Sequence, residues 1–255
     1  MIQTYAPVVD VRNVGPDLIT LSLESRQIAD QIQPGQFLNI KVNEIGVPFF
    51  RRPFSVYRRE NSIVTILFGV IGLGTSILSH LKAGDTLDVL GPLGTAFNTD
   101  DNYDFALLVA GGLGVAPLPM VTEAALKQGK KIDTFLGART AHQVVDRHLE
   151  NLHVATDDGT RGYRGTVIDC LREYLLQTEP QRRKLFACGP MAMIKALTRV
   201  TSEFNIPAEV SLETVMACGI GLCQGCPVEI TGGQKKYALI CKEGPVFDIK
   251  SLRLI

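Results

Sequence analysis

The chain has 255 residues, with 26 acidic and 26 basic side chains and a formal net charge of zero. That length allows two ordinary domains with a small appendage and an ample core, while the charge balance excludes a surface built on phosphate neutralisation, so no nucleic-acid partner is expected. No charged-then-apolar leader opens the chain, and its longest uncharged run, 105–121, is broken by Gly111, Gly112, Gly114, Pro117 and Pro119, so neither a signal peptide nor a membrane span is expected.

Residues 1–99 read as β-rich. Short, β-branched, partly alternating runs at 19–23, 37–42 and 63–68 are separated by turn signals at Pro34-Gly35, Gly84-Asp85 and Gly91-Pro92, a pattern that predicts a small antiparallel barrel. One helix interrupts it, with Thr75 expected as N-cap, Ile77, Leu78 and Leu81 as its apolar stripe, and Gly84 closing it. Within this part, Arg51-Arg52-Pro53-Phe54-Ser55 offers guanidinium and hydroxyl groups on an extended segment; arginine makes forked contacts to phosphate, and serine can bond a ring nitrogen. Gly72-Leu73-Gly74-Thr75 brings a flexible turn to a helix N-terminus, a natural seat for phosphate. Each piece alone is as well explained by a solvated surface or a tight turn. Together they suggest an anionic cofactor spread across the barrel.

The character changes over residues 100–210. The apolar run 105–110 predicts a parallel strand buried on both faces. A helix is expected from Pro117 to about Gln128, then strands at 131–136, 152–156 and 184–187, with helices around 166–176 and 191–203. Such alternation means an α/β domain with a parallel sheet. Gly111-Gly112-Leu113-Gly114 follows the first strand and opens a helix, as a pyrophosphate site would, although Pro117 stands where the Rossmann fingerprint has its third glycine or alanine. Cys188-Gly189-Pro190 ends a second strand, so both turns should face one crevice beyond the carboxyl ends of the sheet. Simple packing turns remain the alternative for each.

Residues 211–255 carry Cys218-x4-Cys223-x2-Cys226-x14-Cys241. This order matches plant-type [2Fe–2S] ligation. Three cysteines crowded into nine residues, with the fourth apart, fit zinc knuckles less well; zinc, free thiols and a disulfide stay as alternatives. Gly219, Gly221 and Gly225 would let the backbone curl so that amides approach the sulfurs. Cys170 lies in an apolar stripe with Val167, Ile168, Leu171 and Leu175 and reads as a small core residue. The four histidines, His80, His142, His148 and His153, are scattered, and neither a Ser–His–Asp nor a paired-carboxylate constellation is present.

Pro34-Gly35-Gln36-Phe37, Arg52-Pro53-Phe54-Ser55, Gly91-Pro92-Leu93-Gly94, Gly111-Gly112-x-Gly114, Cys188-Gly189-Pro190, the four cysteines and the tail 243–247 occur in one order. That order resembles the ferredoxin–NADP reductase superfamily and, more closely, the electron-transfer subunit of type B dihydroorotate dehydrogenase. The resemblance implies an FAD-binding β-barrel over 1–99, an NAD-binding α/β domain over 100–210 and a [2Fe–2S] module over 211–255. Arg52 would contact the FAD phosphate, with Pro53 and Phe54 beside it and Ser55 near the reactive flavin nitrogen. Leu67, Phe68 and Gly69 would line the flavin, with Gly74 and Thr75 at its pyrophosphate. Gly112, Gly114, Cys188, Gly189 and Pro190 would shape the NAD crevice, and Cys218, Cys223, Cys226 and Cys241 would ligate the cluster. Gly69 and Ala96 depart from the arginine and glycine of relatives. The implied function is electron transfer from an FMN-containing dihydroorotate dehydrogenase catalytic subunit to NAD+ in pyrimidine biosynthesis, in a cytoplasmic heterotetramer with two copies of each chain. The alternatives are an iron–sulfur flavoprotein paired with another partner, of the sulfide dehydrogenase or NADH-dependent ferredoxin–NADP oxidoreductase type, and a zinc-bearing interaction module. Arg139 could meet a 2′-phosphate, which keeps NADP open beside NAD.

Overall fold

The computed structural model describes residues 1–43, 46–179, 181–232 and 235–254. Six antiparallel strands close a barrel: β1 (Ile2–Gly15), β2 (Leu18–Glu24), β3 (Phe37–Lys41), β4 (Arg52–Glu60), β5 (Ile63–Gly69) and β6 (Thr86–Leu93), in the order β1-β2-β5-β4-β3-β6. Alternate residues fill it, among them Leu21, Leu38, Ile40, Val56, Ile66 and Val89, all almost fully buried, as the period of two along a strand requires. Strand β1 gives almost no apolar signal because only Ala6 and Val8 of its side chains are buried.

Two short helices, α1 (Arg26–Ala29) and α2 (Leu73–Ser79), attach to the barrel. The start of α2 differs from expectation. Gly72 is its N-cap, and Thr75 lies in the first turn, where its Oγ1 accepts from the Ile71 and Gly72 amides at 3.0 and 3.2 Å. A hydroxyl three residues into a helix can reach back to the cap as well as a cap residue reaches forward. The helix ends at His80, and Gly84, with φ +98°, instead turns the chain into β6. Gly91-Pro92 is no turn but lies inside β6, where a Cβ on Gly91 would meet Leu38 at 2.4 Å.

The second sheet contains β7 (Phe105–Gly111), β8 (Lys131–Ala138), β9 (Leu152–Thr156), β10 (Tyr163–Arg164), β11 (Arg183–Cys188) and β12 (Ala208–Ser211), all parallel, in the order β10-β9-β8-β7-β11-β12. Helices α3 (Leu118–Lys127), α4 (Val167–Gln177) and α5 (Met191–Glu203) complete the α/β alternation. Helix α4 starts as its sequence predicts, with the Thr166 hydroxyl accepting from the Asp169 amide at 3.1 Å. Cys170 is half-buried against this domain's core, and burial pushes its thiol pKa up.

After β12 come a hairpin of β13 (Pro227–Glu229) and β14 (Tyr237–Leu239) and a return strand, β15 (Val246–Asp248). Strand β15 joins the second sheet antiparallel beside β12. On its way it also touches the barrel: the Thr95 amide donates to the Gly244 carbonyl at 2.7 Å, and a Cβ on Gly94 would lie 2.4 Å from Pro245. The cysteine-bearing segment is thus held at both ends by the larger units. Among the described residues no helix is long and apolar enough to cross a membrane.

Candidate functional site

The loop after β12, which carries Cys218, Cys223 and Cys226, turns sharply, and Cys241 follows β14. Gly219, Gly221 and Gln224 have φ of +70°, +84° and +59°, the region where glycine is not strained. Backbone amides then point at sulfur. Ile220 and Cys223 donate to Cys218 Sγ at 3.5 and 3.4 Å, Gly221 to Cys241 Sγ at 3.1 Å, and Cys241 to Cys226 Sγ at 3.4 Å. Cys226 and Cys241 are buried with their sulfurs 3.2 Å apart, Cys218 is half-buried, and Cys223 is exposed. All four are free thiols.

The two ends of this set differ electrically. At Cys218 desolvation opposes ionisation, but hydrogen bonds from the Cys223 and Ile220 amides, the Cys223 thiol and the Leu222 amide together draw the pKa down to about 6. Cys241 is pushed up to about 12 by burial and then by its neighbour Cys226. Amide donors on sulfur stabilise thiolate charge, and bound iron would displace the remaining protons. Four thiols, three of them (Cys218, Cys226 and Cys241) under backbone N–H groups, are a donor set whose chemistry fits a thiolate-ligated cluster.

On the barrel, Arg52 stands against α2: a Cβ on Gly74 would lie 3.5 Å from Arg52 Nε, and the guanidinium donates to the Phe50 carbonyl at 2.9 Å. Ser55 lies three positions along β4, half-buried, across from Phe37. Phe54 and Phe68 belong to the barrel core, with ring centroids 5.5 Å apart, while Leu67 packs into the α/β core. Arg52 and Gly74 are therefore brought together. The side chains of Phe54 and Phe68 instead fill the barrel, Leu67 joins it to its neighbour, and Pro53 faces Asn39 across the strand pair. Gly69 leaves room for Leu113, which would sit 3.0 Å from a Cβ there.

In the α/β part the two glycine turns interlock. A Cβ on Gly114 would fall 2.1 Å from the Cys188 carbonyl oxygen, and one on Gly111 2.8 Å from Pro190 Cδ. Gly189, with φ +159°, lies so close that its Cβ would be 2.9 Å from the Gly111 nitrogen. Beside them opens a cleft of about 590 Å³ lined by Gly111, Gly112, Arg139, Asp157, Asp169 and Pro190. Its place beyond the strand ends is where open α/β sheets take ligands. A separate cleft of about 470 Å³ on the outer barrel face, bordered by Arg12, Tyr57, Arg58 and His148, contains none of the residues expected to bind FAD, NAD or the cluster.

Cys188 is fully buried, and its thiol donates to Glu213 Oε1 at 3.7 Å. Burial, then the Glu213 charge, pushes the thiol pKa well up, so it stays a neutral donor. The crowded carboxyl of Glu213 is raised in turn, mainly by desolvation, although water reaches the exposed side of this residue and screens the effect. Sequence inspection misses Glu213. A single glutamate between a strand and a cysteine run carries no spacing signal, and only the adjacency of β11 and β12 brings it to Cys188.

Residues 213–253 match the family model for the iron–sulfur cluster binding domain of dihydroorotate dehydrogenase B, and 108–199 match that for an oxidoreductase NAD-binding domain. Over 250 residues, 95% of each chain, the sequence is 34% identical to the dihydroorotate dehydrogenase B (NAD(+)) electron transfer subunit of Desulforamulus reducens. The chain belongs to this electron transfer subunit family. The corresponding Bacillus caldolyticus subunit is 36% identical over 248 residues, 94% of each chain. Among solved structures, that of an NADH-dependent reduced ferredoxin–NADP oxidoreductase superposes with a TM-score of 0.86 at 30% identity, covering 98% of this chain and 90% of that one. Phthalate dioxygenase reductase shares the fold, with a TM-score of 0.67 at 15% identity over 91% and 87% of the two chains. In this electron transfer subunit the cluster-domain match opens at Glu213 and encloses all four clustered cysteines.

Proposed function

We propose that this subunit accepts electrons from a dihydroorotate-oxidising catalytic subunit and delivers them to NAD+, serving pyrimidine biosynthesis. The observation that carries this reading is the set of four free thiols, three of them under amide donors, inside the segment matched to the cluster-binding domain. Cys218, Cys223, Cys226 and Cys241 would hold a [2Fe–2S] cluster. Arg52, Pro53, Phe54, Ser55, Leu67, Phe68, Gly69, Gly74 and Thr75 would form the FAD seat, and Gly112, Gly114, Cys188, Gly189 and Pro190 the NAD crevice. Flavin supplies the conversion between a two-electron hydride and single electrons, the chemistry that iron–sulfur and nicotinamide cannot exchange directly.

The chain's own groups contribute positioning. The interlocked glycine turns hold the ends of β7 and β11 in backbone contact beside the nucleotide cleft. The Cys188 thiol, held neutral, and the Glu213 carboxyl provide a short polar pair at the end of β11 without a fixed cation. Asp157 and Asp169 line the cleft beside Arg139, a charge balance that suits an unphosphorylated ribose and hence NAD over NADP. Domain limits near 99 and 210, an FMN-bearing partner, two copies of each chain and a reducing cytoplasm complete the reading, the last supported by six free cysteines.

Cys226→Ser tests it. The variant, coexpressed with the partner, should lose iron and dihydroorotate-dependent NAD+ reduction while keeping NADH-to-dye turnover. Full coupled turnover in that variant rejects the route. The high structural likeness to the ferredoxin–NADP oxidoreductase favours a second reading, the same cofactors with another partner. Failure of every dihydroorotate-oxidising partner to couple, with iron and flavin both bound, would select it.

A further inference from the structure

Strand β3 presents two faces with different duties. Leu38 and Ile40 point into the barrel core, whereas Phe37 belongs to the core that contains Cys226 and Cys241. Asn39, also fully buried, donates from Nδ2 to the Cys218 carbonyl at 3.0 Å. The next residue of that loop, Gly219, sits so close that a Cβ would lie 2.4 Å from Asn39 Nδ2. Along the same strand, Asn39 is paired with Pro53 and Phe37 with Ser55. One strand therefore touches both the segment assigned to the flavin and the loop assigned to the cluster.

Asparagine is a poor choice for this position on stability grounds. Its Oδ1 is buried without a partner among the described residues, and an unpaired buried acceptor costs stability that leucine would not. The backbone around it is nevertheless fixed: Arg51 donates to the Asn39 and Asp88 carbonyls at 3.4 and 2.9 Å and to the Asp88 carboxylate at 2.5 Å. A donor retained at such a cost, aimed at a ligand residue from a pinned strand, has a positional purpose.

We propose that Asn39 is a positioning residue that holds the 218–219 loop at a set place relative to the 52–55 segment, and so fixes the coupling between cluster and flavin. The proposal rests on the cofactor assignment above. Asn39→Leu removes the donor and replaces the amide with hydrocarbon, and Asn39→Asp keeps the volume but can donate only when its carboxyl is protonated, so it holds the loop less well as pH rises. In the as-purified full-length chain, amide hydrogen exchange over 217–223 should run about tenfold faster in both variants, with barrel strands unchanged. At equal flavin and iron content, the EPR g-values of the reduced cluster should shift and its reduction by NADH should slow. Wild-type exchange and a wild-type EPR spectrum in Asn39→Leu would overturn the proposal. Joint loss of flavin and iron would also overturn it, because Asn39 would then be a barrel core residue. If the unaltered chain binds no iron, the cluster assignment falls, and exchange alone still decides whether Asn39 holds the loop.

Discussion

Replacing Gly114 by alanine should separate the two turns that build the nucleotide cleft. The added Cβ would sit 2.1 Å from the Cys188 carbonyl oxygen, 2.5 Å from its carbon and 2.6 Å from Gly189 Cα. All three are backbone atoms, so no side chain can swing aside. To reach the 3.0 Å below which real Cβ contacts are essentially unknown, the turns must part by about 0.9 Å. Overpacking of this kind costs about 1–3 kcal/mol, and the gain from replacing glycine in a helical turn offsets at most about 1 kcal/mol. A net loss of about 2 kcal/mol corresponds to a Tm lower by roughly 4–8 °C in a chain of this size. The catalytic effect should be larger in proportion, since a displacement near 1 Å in a positioning element can cost about 100-fold. Stopped-flow flavin reduction by NADH reads that loss directly. Gly112→Ala is the control for stability: its φ is +55° and no atom lies within 4 Å of the new Cβ, so only backbone strain of about 1–2 kcal/mol applies. A Gly114→Ala protein with unchanged Tm and unchanged flavin reduction would refute the claim that the turns are in contact.

Two further outcomes follow from charge and burial. The folded pKa of Glu213 is raised above its ordinary 4.5, mainly by desolvation, with the Cys188 hydrogen bond opposing. The folded state thus binds that proton more tightly, so its contribution is full below pH 4.5 and declines as pH rises through the raised value. Glu213→Gln should flatten this decline in a Tm series over about pH 4–8, and an unchanged slope would reject it. Lys184, only 5% exposed, donates to the Asn98 carbonyl and Glu209 at 2.9 Å and to Asp101 at 2.5 Å. Lys184→Met should cost about 3 kcal/mol in urea unfolding by leaving Glu209 uncompensated; a loss under about 1 kcal/mol would mean the pair is worth no more than a surface bridge.

The α/β part was the most legible. Its strand β7 is an unbroken apolar run and the strands beside it are apolar-rich and largely buried, so 152–156 coincides with β9 and β7, β8 and β11 are one or two residues longer than expected. The barrel was harder. Strand β1 buries few side chains, and β6 runs through Gly91-Pro92, a dipeptide whose local chemistry signals a turn. Tertiary contact decides there, because Leu38 occupies the space that a Gly91 side chain would need. The tail strand β15 was invisible for a related reason: three residues gain a sheet edge only because β12 is waiting for them.

By itself the sequence determined which atoms are available: four sulfurs at fixed spacing, glycines where the chain must curl, and an arginine and a serine on one extended segment. These are local facts, set by covalent spacing and backbone freedom. Only the tertiary structure decided what lies beside them. Glu213 meets Cys188 because two parallel strands are neighbours, Gly114 meets Cys188 because two turns share one crevice, and Asn39 meets Cys218 across 179 residues of chain. Contacts of that range are selected by burial and by close packing of the whole molecule, which no local pattern encodes.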